Sequence, residues 1–147
     1  MTTMDPRFIW PVRVYYEDTD TGGVVFYANY LKFFERARTE WLRTAGISQQ
    51  ALAESDRVMF VVKSTAVDYH APAKLDDELK LSVVVERFGR ASVHFIQEAW
   101  RGQDAQQQLL AEGRIKVGCV NVDTFRPCPI PNDVLERIKR TEPVPAW

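Results

Sequence analysis

The sequence predicts an α+β fold in which a five-stranded, mostly antiparallel sheet wraps around one long helix, and three observations carry that prediction. One stretch of helical period is preceded by one strand-like segment and followed by four. The joints between the four later segments are short enough for hairpins. The chain has 147 residues, 46% of them apolar, which suits one domain that buries roughly 70% of its unfolded surface and leaves no room for a second.

The first strand is read over residues 12–17, where Val12, Val14 and Tyr16 alternate with Arg13, Tyr15 and Glu17. It runs into Asp18, Thr19, Asp20, Thr21, Gly22 and Gly23, turn formers whose two glycines reach backbone angles that other residues avoid. From Asn29 the period changes. Tyr30, Phe33, Phe34, Ala37, Trp41 and Ala45 recur at three and four residues, with Lys32, Glu35, Arg36, Glu40 and Arg43 opposite, which predicts a long amphipathic helix. Gly46 suits the position just past its end, Arg43 complements the dipole in the last turn, and Arg36 is placed to pair with Glu40. Ser48 caps a short second helix running to about residue 54.

Strands follow over 58–69, 78–87, 92–101 and 109–122, joined by segments 72–77, 89–91 and 102–107. The proline-rich tail from Asp123, with a short helical stretch over 133–140, reads as an appendage. The domain is therefore 1–147, with a core over about 8–125 and a C-terminal appendage 126–147. Open sheet edges and the crowding of aromatics into residues 8–41 predict at least a dimer.

Composition excludes several classes of function. Lys and Arg total 19 against 20 Asp and Glu, a net charge of -1, so nucleic acid is not an expected partner. Residues 1–11 lack the basic start and apolar stretch of a secretion signal, and no apolar run approaches the ~20 residues that span a bilayer. No membrane span and a cytoplasmic location are expected. Cys119 and Cys128 make no disulfide framework, and neither has a CxxC partner or a nearby His. A reducing compartment and no metal are expected, since the two separated histidines with one or two carboxylates do not compose a zinc or di-iron set.

Residues 15–30, YYEDTDTGGVVFYANY, concentrate the chemistry. A carboxylate-rich turn there enters a helix N-terminus, which presents unsatisfied N–H groups and a partial positive charge. Asp20 beside such donors would supply what acyl transfer requires, a base or nucleophile together with oxyanion stabilisation. On spacing alone, Asp18 and Asp20 serve equally as turn and capping residues, with Gly22 and Gly23 present for the bend.

The run Asp18 to Gly23, followed by the apolar Val24 to Tyr27 and by Tyr30, resembles the D-x-D-x-x-G signature of the 4-hydroxybenzoyl-CoA thioesterase family of hotdog-fold proteins. The likeness continues through Phe33, Phe34, Glu35, Arg36, Ala37 and Arg38 and through residues 69–77 (YHAPAKLDD), and the order of elements matches a hotdog over about 8–125. Within that family the segment is most similar to the acyl-CoA thioesterases associated with the Tol-Pal envelope system. The resemblance implies an acyl-CoA thioesterase without a cofactor, in which Asp20 is the catalytic carboxylate, as nucleophile or as general base toward water. It implies that the backbone N–H of Tyr27 polarises the thioester carbonyl and that Gly23 shapes the turn. Many Tol-Pal relatives have His where this chain has Tyr27, so only the backbone role carries over. Asp18 reads as structural, orienting the loop. The family's usual assembly implies a homotetramer, a dimer of dimers.

CoA carries phosphates and an adenine, which call for cationic groups at the mouth of an acyl tunnel. The family places nucleotide contacts in the turn between the third and fourth strands, here Arg90 and Ser92, positions that suit a solvated hairpin tip equally well. Lys63 is a similar candidate. Phe26, Phe60 and Val62 are candidates to line the acyl or pantetheine channel, with core packing the alternative for the two phenylalanines. A Ser-His-Asp triad lacks a GxSxG elbow; His94 reads as a surface residue and His70 as structural, beside Pro72 at a strand end, with contact to substrate the alternative for His70. Glu35 and Arg38 read as a surface or interface ion pair. Two further readings stand beside the thioesterase. One is a hotdog subunit that binds acyl carrier protein or an envelope-biogenesis partner, with incidental hydrolysis. The other is a hydratase or dehydratase, which this loop, having no His, resembles least.

Overall fold

The computed structural model describes residues 8–102 and 106–141. Strands β1 (Phe8–Arg13), β2 (Val58–Tyr69), β3 (Glu78–Phe88), β4 (Ser92–Arg101) and β5 (Gln108–Asn121) form one sheet in the order β1-β3-β4-β5-β2, every neighbouring pair antiparallel. Helices α1 (Asn29–Thr44), α2 (Gln49–Ser55) and α3 (Asn132–Thr141) accompany it, making the fold α+β as expected. No helix among the described residues is long and apolar enough to cross a membrane.

Strand alternation puts Leu79, Leu81 and Val83 of β3, Val93, Phe95 and Ala99 of β4, and Ile115 and Val117 of β5 in the core. Phe33, Phe34, Ala37 and Trp41 of α1 are buried with them, and Trp41 meets Phe95 edge to face at 5.3 Å between ring centroids. Burying each large apolar side chain contributes about 1.5–3 kcal/mol, so this spacing of apolar positions is what makes α1 a helix in this context. The helix stops where the sequence indicates. Gly46 takes φ +76°, its N–H donates to the Arg43 carbonyl, and the Ile47 N–H reaches back to Leu42, the double closure of a Schellman motif. Ser48 caps α2 by accepting from the Ala51 N–H at 3.2 Å.

Four expectations need correction. The first strand covers Phe8–Arg13 instead of 12–17. Its pairing ends at Arg13 opposite Glu78, the first residue of β3, and the chain then winds into a 3-10 turn over Tyr16–Asp18 that leaves Tyr16 82% exposed. Val12 and Val14 still point inward. Segment 72–77 is not a hairpin: β2 pairs with β5 at the sheet edge, and the chain crosses the ends of β5 and β4 to reach β3. The N–H groups of His70 and Ala71 donate to the Leu110 carbonyl at 2.8 and 3.2 Å, so neighbouring strand ends satisfy the backbone that a hairpin partner would have served. Glu40 pairs with Arg43, in the following turn, instead of with Arg36 in the preceding one. The segment after Asp123 pairs back along β5 and adds Ile130, Val134 and Ile138 to the core; residues 142–147 lie outside the described residues, as do 103–105 in the joint between β4 and β5.

The two thiols, far apart in sequence pattern, meet in space. Cys119 Sγ lies 3.7 Å from Cys128 Sγ, both are free, and burial together with the hydrogen bond the two thiols share pushes the Cys119 thiol up to about 12.

Candidate active site

Residues 18–26 form a tight backbone hairpin ahead of α1. The Asp20 N–H donates to Val24 O at 2.9 Å, the Gly23 N–H to Asp20 O at 3.0 Å and the Phe26 N–H to Asp18 O at 3.0 Å. Gly23 has φ +79° and open space where a Cβ would stand, so its requirement is the backbone angle alone. The two acids of the loop face opposite environments. Asp18 is 6% exposed; its Oδ2 accepts from the Tyr15 N–H at 2.8 Å and its carbonyl from Asn29 Nδ2 at 2.8 Å. Asp20 is exposed at the tip, where Oδ1 accepts from the Gly22 N–H at 2.8 Å.

The hairpin delivers a helix start that no side chain caps. Ala28 occupies the N-cap, no acid lies in the first turn, and the N–H groups of Tyr27 and Ala28 donate to no acceptor among the described residues. Asp20 and Gly23 at the tip, and Phe26 and Tyr27 at the exit, thus belong to one backbone unit. Asp20 and Tyr27 share no hydrogen bond, however, and stand at its two ends.

Segment 69–77 is the floor beneath this unit. The Val25 N–H donates to Ala73 O at 2.8 Å, Val24 bridges to Lys74, and Tyr30 Oη accepts from the Ala73 N–H at 3.2 Å. Tyr69 Oη donates to the Tyr27 carbonyl at 3.0 Å. Asp77 Oδ2 accepts from the Lys74 N–H at 2.9 Å and from Arg101 Nη1 at 2.8 Å, and Arg101 also donates to Pro72 O at 3.1 Å. An aromatic chain runs Phe26, Tyr27, Tyr69, Tyr30, Phe33, with centroids 4.8 to 6.0 Å apart. Burial raises the phenols of Tyr30 and Tyr69 above their ordinary value and keeps both protonated. Beside the helix start lies a shallow hollow of about 310 Å³, where His70 joins Tyr27, Tyr30 and Tyr69. Sequence reasoning missed Tyr30, Tyr69, Asp77 and Arg101. The available signal was YHAPAKLDD, a stretch of resemblance in which only His70 reads as a candidate to touch substrate.

A second cavity, of about 390 Å³, lies between α1 and the sheet face built by β2, β4 and β5. Phe60 and Val62 line it, with Phe95, Val117 and Ile138. Arg38 also lines it, and here the ion-pair expectation fails. The guanidinium is 9% exposed and Nη1 donates to Gln97 Oε1 at 2.9 Å, while Glu35 accepts instead from Thr39 Oγ1 at 2.6 Å. Helical phase explains this: position 38 falls between the buried positions 34, 37, 41 and 42 and must face the sheet. Burial depresses the Arg38 pKa, opposed by the nearby Glu35 charge. Gln97 is fully buried, and its Nε2 donates to Phe34 O at 3.0 Å. At 1.5 Å per residue, Arg38 lies roughly 14 Å along α1 from its uncapped start.

The remaining candidates gather elsewhere. Lys63 is the extra residue of a bulge in β2 between Val62 and Ser64, and its side chain lies over Gly118 of β5, which pairs with Ser92. Arg90 is exposed at the β3-β4 hairpin tip, where its carbonyl accepts from the Ile130 N–H at 3.0 Å. Arg90 and Ser92 are at the start of β4 and the loop floor is at its end, roughly 30 Å away along the strand. One chain does not bring them together. His94, on the strand face opposite Val93 and Phe95, contacts Arg87.

Comparison with known proteins adds the following. The family described as the thioesterase-like superfamily matches residues 14–138. The acyl-CoA thioesterase YbgC of Haemophilus influenzae is 46% identical over 131 residues, covering 89% of this chain and 93% of that protein. The acyl-CoA thioester hydrolase YbgC of Escherichia coli is 45% identical over 133 residues, covering 90% and 96%. A 4-hydroxybenzoyl-CoA thioesterase mutant crystallised with 4-hydroxybenzoyl-CoA superposes with a TM-score of 0.84 at 17% identity, over 91% of this chain and 99% of that one, a likeness of fold.

Proposed function

This chain belongs to the thioesterase-like superfamily, and we propose that it is an acyl-CoA thioesterase that hydrolyses the thioester to free acid and CoA with Asp20 as the working carboxylate. The observation that carries the site is one backbone hairpin that holds an exposed acid at its tip and an uncapped helix start at its exit. In this reading the Tyr27 N–H polarises the thioester carbonyl while Asp20 attacks the carbonyl carbon or deprotonates the attacking water. Oxygen charge that develops in the tetrahedral intermediate is met by the free N–H, a type of donor worth about 2.7–4 kcal/mol of barrier. Collapse expels the CoA thiolate, which takes up a proton; where Asp20 is the nucleophile, water then cleaves the acyl-Asp20 anhydride, releasing the free acid and restoring the carboxylate. Gly23 holds the bend, Phe26, Phe60 and Val62 line the channel, and Lys63, Arg90 and Ser92 meet the CoA phosphates. Water is the only co-reactant.

The reading extends to one hotdog domain over 1–147, its sheet wrapped around α1, assembled as a homotetramer. Two features support assembly through β2. It is a 12-residue edge strand without proline and with Val62 51% exposed, whereas the opposite edge, β1, has 6 residues and contains Pro11. The separation of Arg90 and Ser92 from the loop within one chain also favours a second copy as the source of the nucleotide contacts. A cytoplasmic location rests on the two free cysteines, which suit a reducing compartment, and a link to the Tol-Pal system rests on the sequence resemblance of segments 18–30 and 69–77.

Thiol release from a panel of acyl-CoAs, running from short aliphatic through aromatic to long chain, tests the proposal. Turnover of part of the panel is expected, and Asp20→Asn should lower it by about 10²–10⁴ with circular dichroism and oligomer size unchanged. Retained turnover in the variant would remove Asp20 from its role. No turnover on any acyl-CoA would direct attention to acyl carrier protein thioesters.

A further inference from the structure

We propose that Tyr69 is a positioning residue for thioester hydrolysis, its hydroxyl holding the Tyr27–Ala28 peptide in the orientation that turns the free Ala28 N–H toward the substrate carbonyl, as a second donor beside the Tyr27 N–H. The inference rests on the acyl-CoA thioesterase reading above. Two peptides flank Tyr27. The first has its Phe26 carbonyl fixed by the Asn29 N–H at 2.8 Å, a bond of the opening helical turn. The second has its Tyr27 carbonyl shared between the Tyr30 N–H at 3.3 Å, a long contact, and Tyr69 Oη at the shorter 3.0 Å. No N-cap side chain restrains this end of α1, so Tyr69 is the side chain that reaches the Tyr27 backbone among the described residues.

The anchor is rigid because of where it sits. Tyr69 is the last residue of β2, paired with Ala111, and both residues after it donate to the Leu110 carbonyl. Its ring is held edge-on by Tyr27 at 6.0 Å and Tyr30 at 5.4 Å. A carbonyl that accepts a good hydrogen bond polarises its own amide, so the Ala28 N–H of the same peptide becomes the stronger donor. Tyr69 thereby links the sheet to the reacting end of the helix across 42 positions of sequence.

The test compares wild type, Tyr69→Phe and Asp20→Asn on one acyl-CoA, measuring kcat, KM, the pH profile and Tm. Removing only the hydroxyl keeps the ring contacts. In Tyr69→Phe, kcat is expected to fall about tenfold, the scale of one hydrogen bond, with KM, Tm and the shape of the pH profile unchanged. A kcat within about twofold of wild type overturns the proposal. So does a raised KM at constant kcat, which would make Tyr69 a substrate contact. A loss of Tm parallel to the loss of rate would make it merely structural, and a lost limb of the pH profile would make it a proton donor. The two readings fail separately. Activity retained in Asp20→Asn sinks the role given to that carboxylate, whereas an inactive Asp20→Asn beside an unimpaired Tyr69→Phe sinks only the positioning role.

Discussion

The start of α1 and its middle are held by opposite means. At the start, backbone hydrogen bonds of the 18–26 hairpin and of segment 69–77 carry the geometry, and Asp20, Phe26 and Tyr27 remain exposed. In the middle, Phe33, Phe34, Ala37 and Trp41 are buried against the sheet around a polar pair, Arg38 with Gln97. Hydrogen bonds to exposed backbone are individually modest and replaceable by water, whereas a buried charge has no such substitute. Substitutions at the first region should therefore alter rate more than stability, and substitutions at the second stability more than rate.

The largest effect expected is at Gln97. Gln97→Leu strips the buried Arg38 guanidinium of its hydrogen-bond acceptor and should cost about 3 kcal/mol in chemical denaturation. Replacing both residues, Arg38→Met with Gln97→Leu, should recover much of that loss, because an apolar pair leaves no buried charge without an acceptor. A single variant as stable as wild type would erase the contrast between the two regions. Next, Asp18→Ala orphans the Tyr15 N–H and should cost about 1–3 kcal/mol, with a drop in turnover larger than the change in Tm suggests. Gly23→Ala meets no atoms but must hold φ +79°, a cost of about 1–2 kcal/mol, and should lower kcat by shifting the tip that carries Asp20.

The smallest effect at neutral pH concerns Cys119. Burial first, and then its hydrogen bond with Cys128, raise its thiol from 9.0 to about 12, so above pH 9 the folded chain keeps a proton that the unfolded chain loses. Protons bound in excess by the folded state make stability fall as pH rises, here from about 9 toward 12, with no effect below that window. Melting curves across the window should show a shallower decline for Cys119→Ala. Parallel declines would mean that the thiol ionises as readily folded as unfolded.

Reading the chain in advance succeeded where neighbours in sequence are neighbours in space. The three-and-four spacing from Tyr30 to Trp41, the Gly46 stop and the Ser48 cap are contained within single turns of helix, and all appear where expected. It failed at Tyr16, whose alternation with Tyr15 and Glu17 looks like strand but has no partner strand beyond Glu78. It failed again at Arg38, which was judged by charge although its position on the helix already placed it among buried residues. In the candidate site, the turn chemistry of Asp18 to Gly23 was legible. The supporting group of Tyr30, Tyr69, Asp77 and Arg101 was not, because Tyr30, Tyr69 and Arg101 act on backbone groups many residues away and Asp77 joins them through the distant Arg101 guanidinium.

What the sequence determined by itself was local: the elements, the two faces of each strand and of α1, and the turn that carries two acids into a helix. Tertiary structure alone decided that β2 lies beside β5 and not β3, that Gln97 receives a guanidinium 59 positions away, and that Tyr69 meets the Tyr27 carbonyl. Local pattern records the periodicity of a residue's own element. Partners that only the packing of the sheet brings within 3 Å leave no periodic trace, and they are the partners that hold this site in place.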